Sequence, residues 1–582
     1  MIATLSTLKP AEGGGVDTAL QQRRLRLAGH SGIKGLLENP RTCFIAVFAS
    51  LGGLVYGYNQ GMFGQVLSMN SFGRASGAKG ISNPTLAGLL TAILELGAWV
   101  GVLINGYSAD KLGRKLSVVA ACIVFCIGVI VQACTSGGTY GTILGGRFVT
   151  GLGVGSLSMI VPLYNAELSP PEIRGSLVAL QQLAITFGIM ISYWITYGTN
   201  FIGGTGDTQS DASWLIPITI QIAPALILAI GIMFMPQSPR WLMDQGREEE
   251  CLQIIANLRR QAMDSDLVRF EYLELKAQKE FETRISQHDH PDLQDSSLKS
   301  RFLLGVAGYK SLITNRSNFK RVSVAVLIMT FQQWTGINFI LYYAPFIFQK
   351  LSVGSDTTSL LASGVVGILT FVATIPAVLF LDQWGRKPTL IVGALVMGSC
   401  HIIVAAIIGS HDNGATLVND AASAWTAVVF IWIFAIGFGF SWGPTAWVIV
   451  SEVFPLGLRA KGVSIGASSN WLNNFAVGLS TPDFITAAPY GVYIFLGLIC
   501  FLSVAYVHFL VPETKGRTLD ELDELFGDQS GRSKMETAML LQAQKDVGLL
   551  DFADLRNVAG IPQSESPMPE EKEDLYKTTY DA

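Results

Sequence analysis

The chain has 582 residues, of which 50% are hydrophobic and only 14% charged, and its mean hydropathy is +0.41. Soluble domains carry about 25% charged residues, so this balance argues against a soluble fold and for a chain embedded in a lipid bilayer. A net charge of −4 offers no basic surface to nucleic acid, and seven cysteines without a CxxC pair form no secreted disulfide framework.

Residues 1–41 are polar, with a basic cluster at Arg23, Arg24 and Arg26 and no apolar core before a small-residue cleavage site. They read as a cytoplasmic segment, with the first apolar run acting as an internal signal. Membrane-length runs follow, about twelve in all. Residues 42–239 form a first six-helix half, with spans beginning near Cys43, Leu86, Leu116, Thr142, Ser176 and Trp214. Residues 321–511 form a second, with spans beginning near Val322, Ser359, Leu390, Trp425, Gly462 and Tyr490. The expected fold class is therefore all-α, membrane-spanning.

Basic residues set the orientation. Lys111, Arg114, Lys115, Arg174, Arg386, Lys387, Arg459 and Lys461 fall in loops on one side, and the opposite loops are poorer. The positive-inside rule puts both termini and the long middle segment in the cytoplasm. That segment, 240–320, is charged and helix-compatible, and Leu252, Ile255 and Leu258 give it a narrow apolar stripe. A solvated linker is the plainer alternative. Residues 512–582 form a cytoplasmic tail whose last stretch has a disorder-like composition.

Three signatures occur once in each half, roughly 280 residues apart. Asp110-Lys-Leu-Gly113-Arg114-Lys115 returns as Asp382-Gln-Trp-Gly385-Arg386-Lys387. Glu167 with Arg174 returns as Glu452 with Arg459, and Pro236-Gln-Ser-Pro-Arg240 is echoed from Pro512. Arginine forks onto carboxylates, so these charges suit a cytoplasmic latch that biases two conformations. Loop charges that only set topology are the alternative.

The seventh span is chemically the oddest. Phe331 to Pro345 reads FQQWTGINFILYYAP, which places Gln332, Gln333, Asn338, Tyr342 and Tyr343 inside an apolar run without a charge among them. Amides cannot face lipid unpartnered at that depth, and they both donate and accept hydrogen bonds. A neutral polyhydroxylated ligand fits that chemistry. In a straight helix Gln332, Gln333 and Asn338 would not share a face, so a break near Gly336 is expected to turn them toward one cavity.

At this point the motifs resemble the sugar porters of the major facilitator superfamily, most of all their fungal hexose-type members. The resemblance rests on GYNQG from Gly57, GGRFVTGLGVG from Gly145, PLYNAELSPPEIRG from Pro162, PQSPRWL from Pro236, QQWTGIN from Gln332, SWGPTAW from Ser441, SEVFPLGLRAKG from Ser451 and PETKGRTLDEL from Pro512, together with the paired Asp-x-x-Gly-Arg-Lys loops. It covers nearly the whole chain apart from the tails. It implies the major facilitator fold of twelve helices in two halves, with cytoplasmic helices between them. It also implies a sugar site built from Gln182, Gln332, Gln333, Asn338, Trp447 and Asn474, with Tyr342 and Tyr343 as an extracellular gate. Phe331 and Trp471 adjoin those positions and are candidates for the apolar wall. Each amide could equally bond a neighbouring helix.

Three departures matter. Proton-coupled relatives usually carry an aspartate where this chain has Asn59, beside the fourth-span Arg147, and an amide cannot take up a proton. Glu95, however, sits mid-span in the second helix, where a carboxylate is costly and often functional. Passive facilitation and proton symport both remain open, and Glu95 with Arg147 are the proton-coupling candidates. Thr370 stands where many relatives have a sugar-contacting asparagine, and Gln237 stands where a glutamate is usual.

The expected function is transport of a monosaccharide, hexose or pentose, by alternating access. No catalytic residue, metal or cofactor is implied, so the chain is not expected to be an enzyme. Its partners are then a small-molecule sugar, a proton if transport is coupled, and the lipid bilayer, with the monomer as functional unit in a plasma membrane. A polyol, inositol, disaccharide or quinate transporter, or a nutrient sensor with a transporter fold, are the other readings.

Overall fold

In a computed structural model, residues 20, 23–24, 26–27, 35, 37–77, 83–170, 173–289, 298–351, 356–411, 420–454, 458–515, 526 and 531–552 are described. Among them, eleven helices are long and apolar enough to cross a bilayer. In chain order the first six are Pro40–Leu67, Pro84–Gly106, Arg114–Ala133, Gly141–Leu168, Ala179–Thr199 and Ala212–Ile232. They are followed by Arg316–Lys350, Thr358–Leu381, Arg386–His411, Ala421–Glu452 and Gly491–Leu510. The remaining expected span is the helix Arg459–Ala487, whose 29 residues suffice in length but are diluted by Asn470, Asn473 and Asn474. Asn470 and Asn474 are buried in protein, as polar groups at that depth require, and the helix takes the eleventh place among twelve spans.

The packing repeats between the halves. In the first half, the second and third spans pack on the fourth, the first on the fifth, and the sixth on the third. In the second half, the eighth and ninth pack on the tenth, the seventh and eleventh pack together, and the twelfth packs on the ninth. The halves meet where the second span lies along the eleventh and the fifth along the eighth, a matched pair of contacts about one pseudo-two-fold axis. Apolar residues such as Ile130, Ile230, Leu498 and Leu502 are exposed on the outside of the bundle, as lipid contact demands. The GLGVG glycines serve packing: a β-carbon on Gly151 would lie 2.1 Å from the Leu94 carbonyl oxygen, so the second and fourth spans touch at their backbones.

Between the halves, among the described residues, lie four helices, Pro239–Asp244, Glu248–Arg259, Asp266–Asp289 and Leu298–Thr314. They sit on one face of the bundle, the linker face. Leu258 joins the main core, while Ile255 packs with Leu242, Cys251 and Val268. Residues preceding the first span and following the twelfth fasten onto the Asp266–Asp289 helix. Leu20, Leu549 and Leu550 bury against Phe270 and Ala277, flanked by Arg24–Glu274 at 2.8 Å and Arg284–Asp546 at 2.6 Å.

Candidate functional site

The seventh span breaks where its sequence suggested. One helix runs Arg316–Trp334 and a second Ile337–Lys350, with Gly336 between them at φ 98°, a conformation that glycine alone adopts without strain. The break brings Gln333 and Asn338 together: Asn338 Nδ2 donates to Gln333 Oε1 at 2.5 Å and to Asn474 Oδ1 at 2.9 Å. A second break at Ser441 splits the tenth span into Ala421–Phe440 and Trp442–Glu452, and the Gly443-Pro444 pair in SWGPTAW was its unread signal.

Both breaks border one cavity at the centre of the bundle, with about 420 Å³ of empty space including its open side. Gln182, Gln332, Gln333, Asn338, Thr370 and Trp447 line it, together with Asn470, Gln60, Tyr56 and Thr186. Its apolar wall is Ile185, Ile189, Ile337, Leu341 and Phe438. Phe331 and Trp471 do not supply that wall. Phe331 packs on Tyr506, and Trp471 is fully buried beside Tyr56 with its indole N–H on Ser158.

The amides divide by what they already hold. Gln332 is consumed by the scaffold: its Nε2 donates to the Trp442 and Gly443 carbonyls at 2.9 and 3.1 Å, and its Oε1 accepts from Asn470 at 2.6 Å. Gln333, by contrast, lines the cavity with its Oε1 taken by Asn338, which leaves its Nε2 as the group to meet a ligand. Thr370 spends its hydroxyl proton on the Val366 carbonyl, which leaves the oxygen to accept. Asn474 sits one layer behind the cavity, between Asn338 and Glu95, and Asn470, four residues earlier, takes the lining place. Gln60, inside the GYNQG motif, is a lining residue that sequence reasoning passed over.

Glu95 is 1% exposed, and Tyr342 and Asn474, which hydrogen-bond to it, come from the other half. Tyr342 Oη donates to Glu95 Oε1 at 2.8 Å, and Asn474 Nδ2 donates to Oε2 at 3.2 Å. The Tyr342 proton can instead reach Asn474 Oδ1 at 3.0 Å, and Gln60 Nε2 donates to the same phenol oxygen at 3.3 Å. Arg147 is not Glu95's ion-pair partner. Its guanidinium lies 3.5 Å over the Phe63 ring and donates to the Thr91 carbonyl, with Nε and Nη1 unpartnered. Asn59 is occupied within its own half, donating to Gln221 Oε1 at 2.7 Å.

The same contacts seal the face opposite the linker. Tyr343 Oη donates to the Gly478 carbonyl at 2.7 Å and Tyr193 Oη to the Leu341 carbonyl at 2.5 Å. A β-carbon on Gly64 would lie 1.9 Å from the Tyr342 carbonyl oxygen, so the first and seventh spans meet backbone to backbone.

At the linker face, the duplicated charges form one joint in each half. Arg114 forks onto Glu167 at 2.8 and 2.7 Å, with Asp110 at 3.3 Å. Arg386 forks onto Glu452 at 3.2 and 2.7 Å. Ser238 bonds Glu167, and Thr514 bonds Glu452 at 2.6 Å, which makes the Pro236 and Pro512 motifs counterparts. Each fork therefore closes within its own half. The Arg174 and Asp382 side chains lie outside the described residues, and Arg459 is half-buried.

The chain matches the family described as "Sugar (and other) transporter" over residues 45–526. It is 31% identical over 496 residues to the low-affinity glucose transporter of Kluyveromyces lactis, covering 83% of this chain and 82% of that one. It is also 31% identical over 505 residues to the quinate permease of Neurospora africana, covering 84% and 90%. Among solved structures, the proton:xylose symporter XylE of E. coli bound to 6-bromo-6-deoxy-D-glucose matches with a TM-score of 0.67 and 27% identity, over 84% of this chain and 100% of that one.

Proposed function

Because the chain belongs to the sugar transporter family of the major facilitator superfamily, we propose that it carries a monosaccharide, hexose or pentose, across the plasma membrane together with a proton. It works as a monomer by alternating access, with both termini and the linker face in the cytoplasm. The observation that carries this reading is the central cavity, where the amides of Gln182, Gln333 and Asn338 face a wall of Ile185, Ile189 and Phe438. Amides satisfy hydroxyls as donor and acceptor, and the apolar wall with Trp447 accepts the C–H face of a pyranose ring.

The quinate permease relative favours a second reading, a hydroxylated acid. The cavity's described lining residues include no Lys, Arg or His, so a carboxylate there would lack a counter-charge. A neutral sugar suits the lining better.

Glu95 is the proton site in this reading. When neutral it tolerates burial between Tyr342 and Asn474 and helps hold the outer face shut. When ionised it needs a cation, and Arg147, with two unpartnered nitrogens in the same half, supplies one once that face opens. Protonation therefore biases the equilibrium toward closure of the outer face.

Uptake of labelled hexoses, pentoses, polyols and quinate by a transporter-deficient cell, with and without a protonophore, tests this. Saturable, protonophore-sensitive accumulation of a monosaccharide is expected, and Glu95→Gln should lose accumulation yet keep exchange. Quinate uptake without sugar uptake would overturn the substrate, and binding without uptake would make the chain a sensor. Accumulation by Glu95→Gln would remove Glu95 from coupling.

A further inference from the structure

The break in the seventh span leaves a carbonyl that an unbroken helix would satisfy. Thr335 O, which would otherwise accept from the amide of Phe339, lies instead 2.8 Å from Nε2 of His401, on the ninth span. The Cys500 thiol, on the twelfth, reaches the same oxygen at 3.7 Å. His401 is 2% exposed, and its ring is clamped by Phe434 at 4.5 Å and Tyr493 at 5.9 Å between centroids. The fit leaves no spare room: a β-carbon on Gly336 would lie 3.0 Å from His401 Nε2 and 2.9 Å from Leu496 Cδ1. On one side of this joint stand Gln332 and Gln333, and on the other stand Asn338 and Tyr342.

We propose that His401 is a positioning residue for the sugar site, acting as the pin of the seventh-span hinge. Its Nε2–H donates to the carbonyl at the break and so fixes the angle at which Asn338 meets Gln333 across the cavity. The role requires the tautomer that carries its proton on Nε2, since a carbonyl can only accept. Beyond the break the helix ladder restarts one residue later, with Ile340 N donating to the Gly336 carbonyl at 3.1 Å, so the donor to Thr335 O comes from outside the span. Without the imidazole this buried carbonyl keeps only the weak Cys500 thiol as donor, so the outer segment Ile337–Lys350 should drift. Substrate then meets two amides that no longer converge, and binding weakens more than turnover.

This inference rests on the site assignment above, and its test separates the two. Uptake of labelled D-glucose, or of D-xylose if that is the faster substrate, is measured for His401→Phe, His401→Gln and Gln333→Ala at matched surface levels. His401→Phe keeps the ring and loses the donor, so its apparent KM should rise about five- to tenfold while Vmax per molecule stays within about twofold. His401→Gln carries an N–H near the Nε2 position and should bring KM back to within about twofold of wild type. If the Phe variant does not reach the membrane, His401→Asn, whose amide is too short for Thr335, takes its place with the same expected rise in KM. An unchanged KM, a fall confined to Vmax, or a Gln variant no better than Phe would overturn the proposal. If Gln333→Ala raises KM and His401→Phe does not, the hinge claim falls alone; if neither does, the site assignment falls with it.

Discussion

At the linker face, the two halves are near copies: Arg114 on Glu167 and Ser238, Arg386 on Glu452 and Thr514. At the membrane centre they part. The first half turns Asn59 away onto Gln221 and lends the cavity Gln60 and Gln182, whereas the second half supplies more of the lining, with Gln332, Gln333, Asn338, Thr370, Trp447 and Asn470. The duplication has kept the linker-face joints alike and let the cavity lining of the two copies diverge. A mechanical joint must work alike on both sides of a rocking axis, while one small ligand needs only one dominant set of partners.

Even the joints differ in two measurable ways. The first is burial: the Arg114 and Glu167 side chains are 6% and 5% exposed, against 8% and 30% for Arg386 and Glu452. Breaking a buried ion pair costs about 3–5 kcal/mol, and water softens that loss where it reaches the carboxylate. Glu167→Ala should therefore lower the thermal midpoint of the detergent-solubilised protein more than Glu452→Ala, and reduce its surface level. Equal shifts would mean that the joints are energetically alike.

The second difference is one residue. Glu513 accepts the backbone N–H groups of Arg386 and Lys387, each at 3.0 Å, at the N-terminus of the ninth span. The equivalent residue in the first half is Gln237, whose Nε2 would lie 3.3 Å from a β-carbon on Gly113 and whose Oε1 has no partner. Burial alone would push the Glu513 carboxyl up. The N–H groups of Lys515, Arg386 and Lys387 and the charge of Arg386 outweigh it and hold the group below its ordinary value of 4.5. A carboxyl depressed in the folded state stabilises the fold fully above its unfolded value and loses that contribution as pH falls through its folded one. Glu513→Gln should thus cost about 0.5–1 kcal/mol at neutral pH, the scale of an anion at a helix N-terminus, and nothing in strong acid. Gln237→Glu should give the first joint the same pH-dependent gain. A Glu513→Gln loss that persists in acid would show that the capping charge is not its cause.

How much of this was readable beforehand follows from where each signal resides. Span length and loop charge are local, so the helices and the repeated motifs could be read from the residues alone. Polar residues stranded in an apolar run flagged the seventh span, and Gly336 flagged its break. What stayed hidden depends on the neighbours each side chain meets. Gln332 looks as free as Gln333 until Asn470 and the Trp442 carbonyl take it up. Asn474 and Asn470 share a helix face, yet only Asn470 lines the cavity. Arg147 looks like the natural partner of Glu95, but Tyr342 and Asn474 arrive from the other half. His401 reads as a packing histidine in an apolar helix, and nothing within the ninth span announces an unsatisfied carbonyl in the seventh.

The division between frame and site is tested most directly by the apparent KM for sugar uptake of Gln333→Ala and Asn59→Ala, measured side by side at matched surface levels. Gln333 offers its amide to the cavity and Asn59 spends its own on Gln221. KM should rise about tenfold or more for Gln333→Ala, the scale of a lost polar contact to ligand, and stay within about twofold for Asn59→Ala. Equal increases in the two variants, or a rise confined to Asn59→Ala, would contradict the account.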